Sequence, residues 1–544
     1  MVYRGKPSPA CSRCRARRLK CDQKRPSCSS CVRAKQICTY RDLAAFSFHD
    51  QTAEVVEKVR RRPKQPSENA DASCSAVSPD QASTAGENAS TATNHKTNAW
   101  ALQSFSAPAV DQGVAYVLTY HVGAHRSVNG HLSFLPLLLQ QESSPGLMAS
   151  INAMGLAALG NIHGSPQLTQ EARQQYTIAL SETSSALQDT NSAQLDSTLA
   201  SVLILGLYEI ITCQSRSLMV RWLNHIEGAM ALVKLRGPEQ LKRPVGLDLF
   251  MQLRGQYALS NLYRKKPAPA WLMALSEETA GIRGPQQSSA ESFFKYLTMV
   301  GDLCAQVGQK AKKTPEEIIR EALQLDAMLA AWALTVDRRW RYKVVDATND
   351  DLPADQHIYG DYYHEYSEIG IAVIWNTYRM TRIVVHEIIA AVCERLWRRS
   401  KGENSEHWAA IRQSAAITRQ LSEEVCASVP YFFGSARSNQ RLVEASGLIR
   451  LHWALFVASD CVGSTPRMKL WIMNRLDEIG RRTGIKQALA MMEYLLGGLS
   501  LNWLKQELQV IENLEDEGPG TIPSEPRMLT NVSDMRRYQS MMKK

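Results

Sequence analysis

Across residues 100–510 the apolar positions recur with a helical period. Leu199, Val202, Leu203, Gly206, Leu207, Ile210 and Ile211 follow the i, i+3, i+4, i+7 rule of a single helix face. Asp196 and Ser197 stand just before them, and their short polar side chains read as N-caps. The same spacing returns at 223–235, 318–331, 369–392 and 411–425, while alternating strand patterns and hairpin turns are scarce. Residues 100–510 are therefore expected to form a large all-α regulatory domain. The most apolar stretches, 146–162 and 199–212, are interrupted by Asn152, Asn161 and Glu209. Neither reaches the roughly 18 uninterrupted apolar residues of a membrane span, so both are expected to be buried helices, with no membrane partner.

The pattern fades at both ends of this region. Residues 63–98 are rich in Ser, Ala, Thr, Asn and Pro and hold no Phe, Tyr or Trp. Such a segment buries too little apolar surface to offset its chain entropy, so 42–99 reads as a basic, low-complexity, disordered linker. Residues 42–62 offer only Val55, Val56 and Val59 as a helical cluster, after Phe46 and Phe48, and Pro63 ends any helix there. A coiled coil needs about three or more heptads. Residues 1–65 are accordingly expected to be monomeric, and a homodimer to form through the helical domain. At the far end Glu515, Asp516 and Glu517 open a Gly/Pro-containing stretch, and 511–544 reads as a loose tail.

Charge changes this picture in one place. The chain carries a formal +10. Residues 1–41 hold 12 Lys/Arg against the single acid Asp22, a net +11, and the remainder holds 51 bases against 52 acids. The excess is confined to under a tenth of the chain, which implies a polyanionic partner for that end alone. No apolar leader precedes the cysteines of this segment, so a reducing compartment is expected, where clustered cysteines favour metal over disulfides.

Those cysteines are Cys11, Cys14, Cys21, Cys28, Cys31 and Cys38, spaced C-x2-C-x6-C-x6-C-x2-C-x6-C, so one half-motif occurs twice. C-x2-C lets two thiolates grip one zinc from a tight turn. Two tetrahedral zinc ions need eight ligand positions and six thiolates are present, so two cysteines must bridge. The repeat makes Cys11 and Cys28 the natural pair. Metal would also explain how about 40 residues with almost no apolar core fold at all. Arg13, Arg15, Arg17, Arg18 and Lys20 crowd the first half. Arg suits bidentate contact with guanine O6 and N7, and Lys suits phosphate or guanine. The second half, with Arg33 and Lys35, is sparser and reads as supporting or phosphate-contacting. Pro26 stiffens the loop between the halves. Two other readings stand beside this one: a structural zinc knot that binds nothing, and a disulfide framework.

The stretch ACSRCRARRLKCD at 10–22, followed by Pro26, Cys28, Cys31 and Cys38, resembles the fungal Zn(2)-C6 binuclear cluster family of transcription factors. The resemblance implies a small two-zinc cluster domain with short helices over 1–41, two zinc ions per chain and bridging by the first cysteine of each half, Cys11 and Cys28. It also implies double-stranded DNA as partner, CGG-like triplet recognition and base contacts at Arg17 and Arg18 with Lys20 beside them. Many members carry Lys at those two positions. A second segment, WLNHIEGAMALVKLRGP at 222–238 with Gly246, Leu249, Phe250, Arg254 and Arg264, is similar to the all-helical regulatory domain of such regulators.

Lesser signals have ordinary readings. Arg60, Arg61, Arg62 and Lys64 fit a nuclear import signal, a phosphate-binding arm or a solvated linker. His121, His125 and His131 have no carboxylate or cysteine among them and read as packing or surface residues rather than a metal site. Cys74, Cys213, Cys304, Cys393, Cys426 and Cys461 are isolated and read as small core or linker residues. No phosphate-binding Gly-rich loop, G-x-S-x-G elbow or H-E-x-x-H is present. The sequence thus points to a nuclear, non-enzymatic, RNA polymerase II-type DNA-binding regulator that meets the transcription machinery and controls a metabolic or biosynthetic gene set, secondary metabolism included. The rival is a ligand sensor or enzyme-like helical domain tethered to DNA by the cluster. An RNA-binding protein or scaffold is a third reading, and the lack of stacking aromatics among residues 10–38 argues against RNA.

Overall fold

The computed structural model describes residues 14, 17, 21–22, 27–34, 38, 108–122, 131–142, 144–213, 220–284, 288–307, 313–348, 357–401, 405–434 and 445–497. Cys11, Arg15, Arg18, Lys20, Arg60, Arg61, Arg62, Lys64, Cys74 and His125, with the linker 42–99 and the tail 511–544, lie outside the described residues. The chain divides into two compact units, 1–100 and 101–544.

In the first unit, one short helix is described, α1 (Ser29–Arg33). The second unit runs α2 (Ala109–Val117), α3 (Leu135–Gln141), α4 (Pro145–His163), α5 (Pro166–Ala186), α6 (Thr190–Ala193), α7 (Asp196–Thr212), α8 (Val220–Arg236), α9 (Pro244–Arg264), α10 (Ala270–Arg283), α11 (Ser288–Val307) and α12 (Pro315–Thr335). A hairpin follows, β1 (Lys343–Asp346) and β2 (Tyr362–Glu365), and then α13 (Ile369–Arg399), α14 (Ser405–Phe432), α15 (Ala445–Asp460), α16 (Pro466–Thr483) and α17 (Lys486–Leu496).

Four of these helices begin with the same dipeptide chemistry. Ser144, Ser165, Thr314 and Thr465 each precede a proline, and each side-chain oxygen accepts from a backbone N–H three residues on, at 3.2–3.3 Å. Proline at the first helical position loses no hydrogen bond and arrives with helical φ, while the hydroxyl satisfies one orphan donor. At Thr314 the arrangement is reciprocal, since Glu317 Oε2 accepts the Thr314 N–H at 2.7 Å.

Every helix expected from periodicity is present. The start of α7 differs from the expectation: Leu195 is the N-cap and makes no side-chain cap bond. Asp196 instead lies inside the helix, its carboxylate held by Arg236 and by Arg243 at 3.2 Å. Ser197 Oγ donates to Glu142. Two cations and one acceptor from neighbouring segments outcompete the local backbone for these side chains. α7 is buried along its whole length from Asp196 to Ile211, and α4 from Gly146 to Gly160 with few gaps, which places both at the centre of the unit. The two apolar stretches are therefore interior helices, and no described helix is long and apolar enough to cross a membrane.

Close backbone approaches fix the packing of α4. A Cβ on Gly155 would collide with the backbone of Gly113 in α2, so only hydrogen fits at that crossing. At the end of α16, Gly484 has φ +73° and lies against Ala158 of α4. Asn161 ties the junction together, donating from Nδ2 to Ile211 O at 3.0 Å and to Gly484 O at 2.8 Å.

The all-α expectation for this unit holds, with one small two-stranded hairpin added to the helices. β1 and β2 pair antiparallel in the register Lys343↔Glu365, Val344↔His364, Val345↔Tyr363, Asp346↔Tyr362. Four-residue strands are too short for alternation to stand out in sequence. Beside them the buried Arg379 guanidinium donates to Tyr366 Oη at 2.9 Å, Asn376 Oδ1 at 2.8 Å and Glu424 Oε2 at 3.1 Å, and it lies 5.0 Å from the Tyr342 ring. A buried cation is tolerable only with such complete pairing.

Candidate metal centre

In the cluster unit, Cys14, Cys28 and Cys31 are buried, and Cys21 and Cys38 are half-buried. The sulfurs of Cys14, Cys28 and Cys31 all lie within 4.8 Å of one another. Cys14 Sγ and Cys28 Sγ are 3.6 Å apart. Tetrahedral zinc with Zn–S near 2.3 Å sets sulfurs about 3.8 Å apart. A disulfide requires about 2.05 Å. The donor set and spacing thus fit a thiolate-bound metal and not a Cys14–Cys28 bridge.

Cys28 also belongs to a second close group, with Cys21 and Asp22. Its backbone N–H donates to Cys38 Sγ at 3.3 Å. One residue therefore lies at the meeting of four other cysteines, Cys14, Cys21, Cys31 and Cys38. Its sulfur belongs to both close groups, and Cys38 meets this residue through the backbone N–H. Cys11, the other cysteine assigned to bridging, is outside the described residues.

The local reason begins with α1. Its N-cap position is Cys28, whose side chain makes no cap bond because the sulfur points into the cluster. Asp22 supplies the missing acceptor: Oδ1 accepts the Ser29 N–H at 3.0 Å, and Oδ2 accepts the Ser29 hydroxyl. The carboxylate thus holds the second half-motif to the first and favours the positive helix end. This role was missed in the sequence, where Asp22 figured only as the lone acid. Its signal is a carboxylate next to the third cysteine and a serine after the fourth. Arg17 and Arg33 are exposed, with Arg33 in the last turn of α1.

The residues of the second motif take structural roles. Leu249 and Phe250 are fully buried. Arg254 Nη2 donates to both Glu291 oxygens at 2.8 and 2.7 Å, and its guanidinium lies 4.3 Å from the Phe294 ring. Arg264 pairs with Glu227. A Cβ at Gly246 would meet the Gln240 backbone. His121 and His131 are buried with ring centroids 6.3 Å apart, and among the described residues only the cysteine groups could hold a metal. Desolvation lowers the His121 pKa to about 3 and holds His131 well below its ordinary value. Of the isolated cysteines, Cys304, Cys393, Cys426 and Cys461 are buried and Cys213 is half-buried.

Comparison with known proteins adds to this geometry. Residues 9–45 match the fungal Zn(2)-Cys(6) binuclear cluster domain, and residues 125–305 match the fungal specific transcription factor domain. An uncharacterized protein of Emericella nidulans is 29% identical over 135 residues, an alignment covering 24% of this chain and 28% of that protein. No solved structure matches the chain.

Proposed function

We propose, for a chain that carries a fungal Zn(2)-Cys(6) binuclear cluster domain and a fungal specific transcription factor domain, that it is a sequence-specific DNA-binding regulator of RNA polymerase II transcription acting in the nucleus. The observation that carries the reading is the packing of Cys14, Cys21, Cys31 and Cys38 around Cys28 inside the matched cluster domain. Two zinc ions are held by the six cysteines, with Cys11 and Cys28 bridging, and they serve to fold the segment. Arg17 and Arg18 reach base edges of CGG-like triplets, and Arg15 and Lys20 flank them on guanine or phosphate. Arg60, Arg61, Arg62 and Lys64 serve import or the phosphate backbone. The helical unit regulates output, meets the transcription machinery and pairs two copies where a dimer forms. The regulated genes form a metabolic or biosynthetic set.

The test is binding of zinc-loaded full chain to a CGG-containing duplex and to a scrambled one, at several salt concentrations. Arg18→Ala is expected to cost about 1–3 kcal/mol on the CGG duplex and little on the scrambled one. Arg61→Ala is expected to weaken both alike and to lower the salt slope. Equal affinity of the unaltered chain for the two duplexes would refute the reading. A ligand-sensing role for the helical unit is a second reading, favoured by a cavity inside it.

A further inference from the structure

The helical unit encloses a cavity of about 230 Å³ among α9, α11, α13 and α15, with α7 and α8 at its margin. Its walls are mainly apolar, with Met251, Leu259, Phe294, Val373, Ile374 and Trp453 contributing. An interior packed to ordinary density leaves no void of this size, and an apolar cavity of about 150 Å³ accommodates benzene. By proportion this one accommodates roughly nine or ten non-hydrogen atoms.

Polar side chains reach the wall, but the protein already engages them. Arg254 and Arg283 both donate to Glu291 at 2.7–2.8 Å. Asp248 is exposed and feels the Arg283 cation. Arg450 also has a partner within the chain. His131 is neutral: burial, Arg450 and His121 all disfavour its charged form. The uncharged groups are committed in the same way. Thr377 Oγ1 donates to Val373 O and Asn376 Nδ2 to Ser428 Oγ, each at 2.8 Å, and Gln256 Oε1 accepts from Trp222 Nε1 at 3.4 Å. An ion entering this space would give up its water and find the counter-charges already taken, which is costly. A hydrocarbon surface gains by leaving water and supplies the wall atoms with the contacts that a void denies them.

We propose that this cavity is a binding site for a small uncharged molecule, mainly hydrocarbon and of about nine or ten non-hydrogen atoms, held by apolar contact with α9, α11, α13 and α15. The use of such a ligand as an effector rests on the regulator reading above; the existence of the site rests on the cavity and its satisfied walls. The α13 and α15 walls lie beyond residues 125–305, so the matched transcription factor domain does not complete the site by itself.

Calorimetric titration of the zinc-loaded full chain with three molecules of one shape tests the site: 3-phenyl-1-propanol, 3-phenylpropionate and 3-phenylpropylammonium. The alcohol is expected to bind about tenfold tighter than either ion. Leu259→Trp and Val373→Phe each fill the void and should abolish alcohol binding. Leu334→Trp, at a leucine 79% exposed on α12, should leave it unchanged. An unaltered chain that binds either ion as tightly as the alcohol, or binds none of the three at millimolar concentration, overturns the proposal whatever the variants do. Undiminished alcohol binding by both void-filling variants overturns it too. Duplex binding by the same preparations is read in parallel. Retained CGG preference without alcohol binding removes the pocket only, and alcohol binding without CGG preference removes the regulator reading only.

Discussion

Cys28 is where single-residue chemistry has the widest reach, because it adjoins Cys14 and Cys31 on one side and Cys21 on the other. Cys38, by contrast, meets Cys28 through one N–H···S contact. Loss of a bridging thiolate removes a ligand from both metals, whereas loss of a terminal one affects a single metal. Cys28→Ser is therefore expected to lower bound zinc from two per chain to less than one and to melt the module, while Cys38→Ser retains about one. Metal analysis of the purified chains decides the matter, and a stoichiometry of one zinc in the unaltered chain would remove the bridged arrangement. The cysteine spacing was legible because a metal site is written in ligand count and separation. The part played by Asp22 was not, since a carboxylate gains its meaning only when folding brings Ser29 to it. The reverse held at Asp196, where a good local capping residue was recruited by Arg236 and Arg243 from more distant segments.

At the scale of elements, the close crossing of α2 and α4 sets the tolerance of the core. Gly155 faces the Gly113 backbone with no room for a methyl group, whereas Gly228, exposed in the middle of α8, faces open space. Gly155→Ala is expected to destabilise the helical unit by about 1–3 kcal/mol, because backbone must shift. Gly228→Ala should stabilise it by about 0.5–1 kcal/mol through the chain entropy that glycine loses on folding. Urea unfolding of the two variants measures both signs, and a destabilising Gly228→Ala would show that helix propensity is not what limits α8. Helix identity was legible from apolar spacing, and four helix starts were written as Ser/Thr-Pro. The hairpin was not, since its two short strands depend on packing beside Arg379 rather than on their own pattern.

For the whole molecule, buried histidines couple folding to pH. Desolvation lowers His121 to about 3 and His452 to about 4, and it likewise depresses His131 and His364. His452 Nε2 stays within 2.8 Å of Gln487 Oε1. In the unfolded chain these rings take up protons below about 6.5, so unfolding binds protons and stability falls as pH drops through that value. The unfolding midpoint of the helical unit is expected to decline from about pH 7 to about pH 5, and His452→Gln should reduce the proton uptake on unfolding by about one. Scanning calorimetry across that range gives the slope, and a pH-independent midpoint would refute the neutral-histidine core. The sequence by itself determined the helical class of the large unit, the interior position of 146–162 and 199–212, and the cysteine spacing of the candidate metal centre. Each of these depends on the identity and spacing of residues near one another in the chain. Tertiary structure alone decided which charges pair, which histidines are stripped of water, and where α9, α11, α13 and α15 leave a cavity with Arg450 on its wall. Those features join residues more than three hundred positions apart, as His131 and Arg450 are, and burial, which makes a charge or a hydroxyl consequential, is a property of the assembled core.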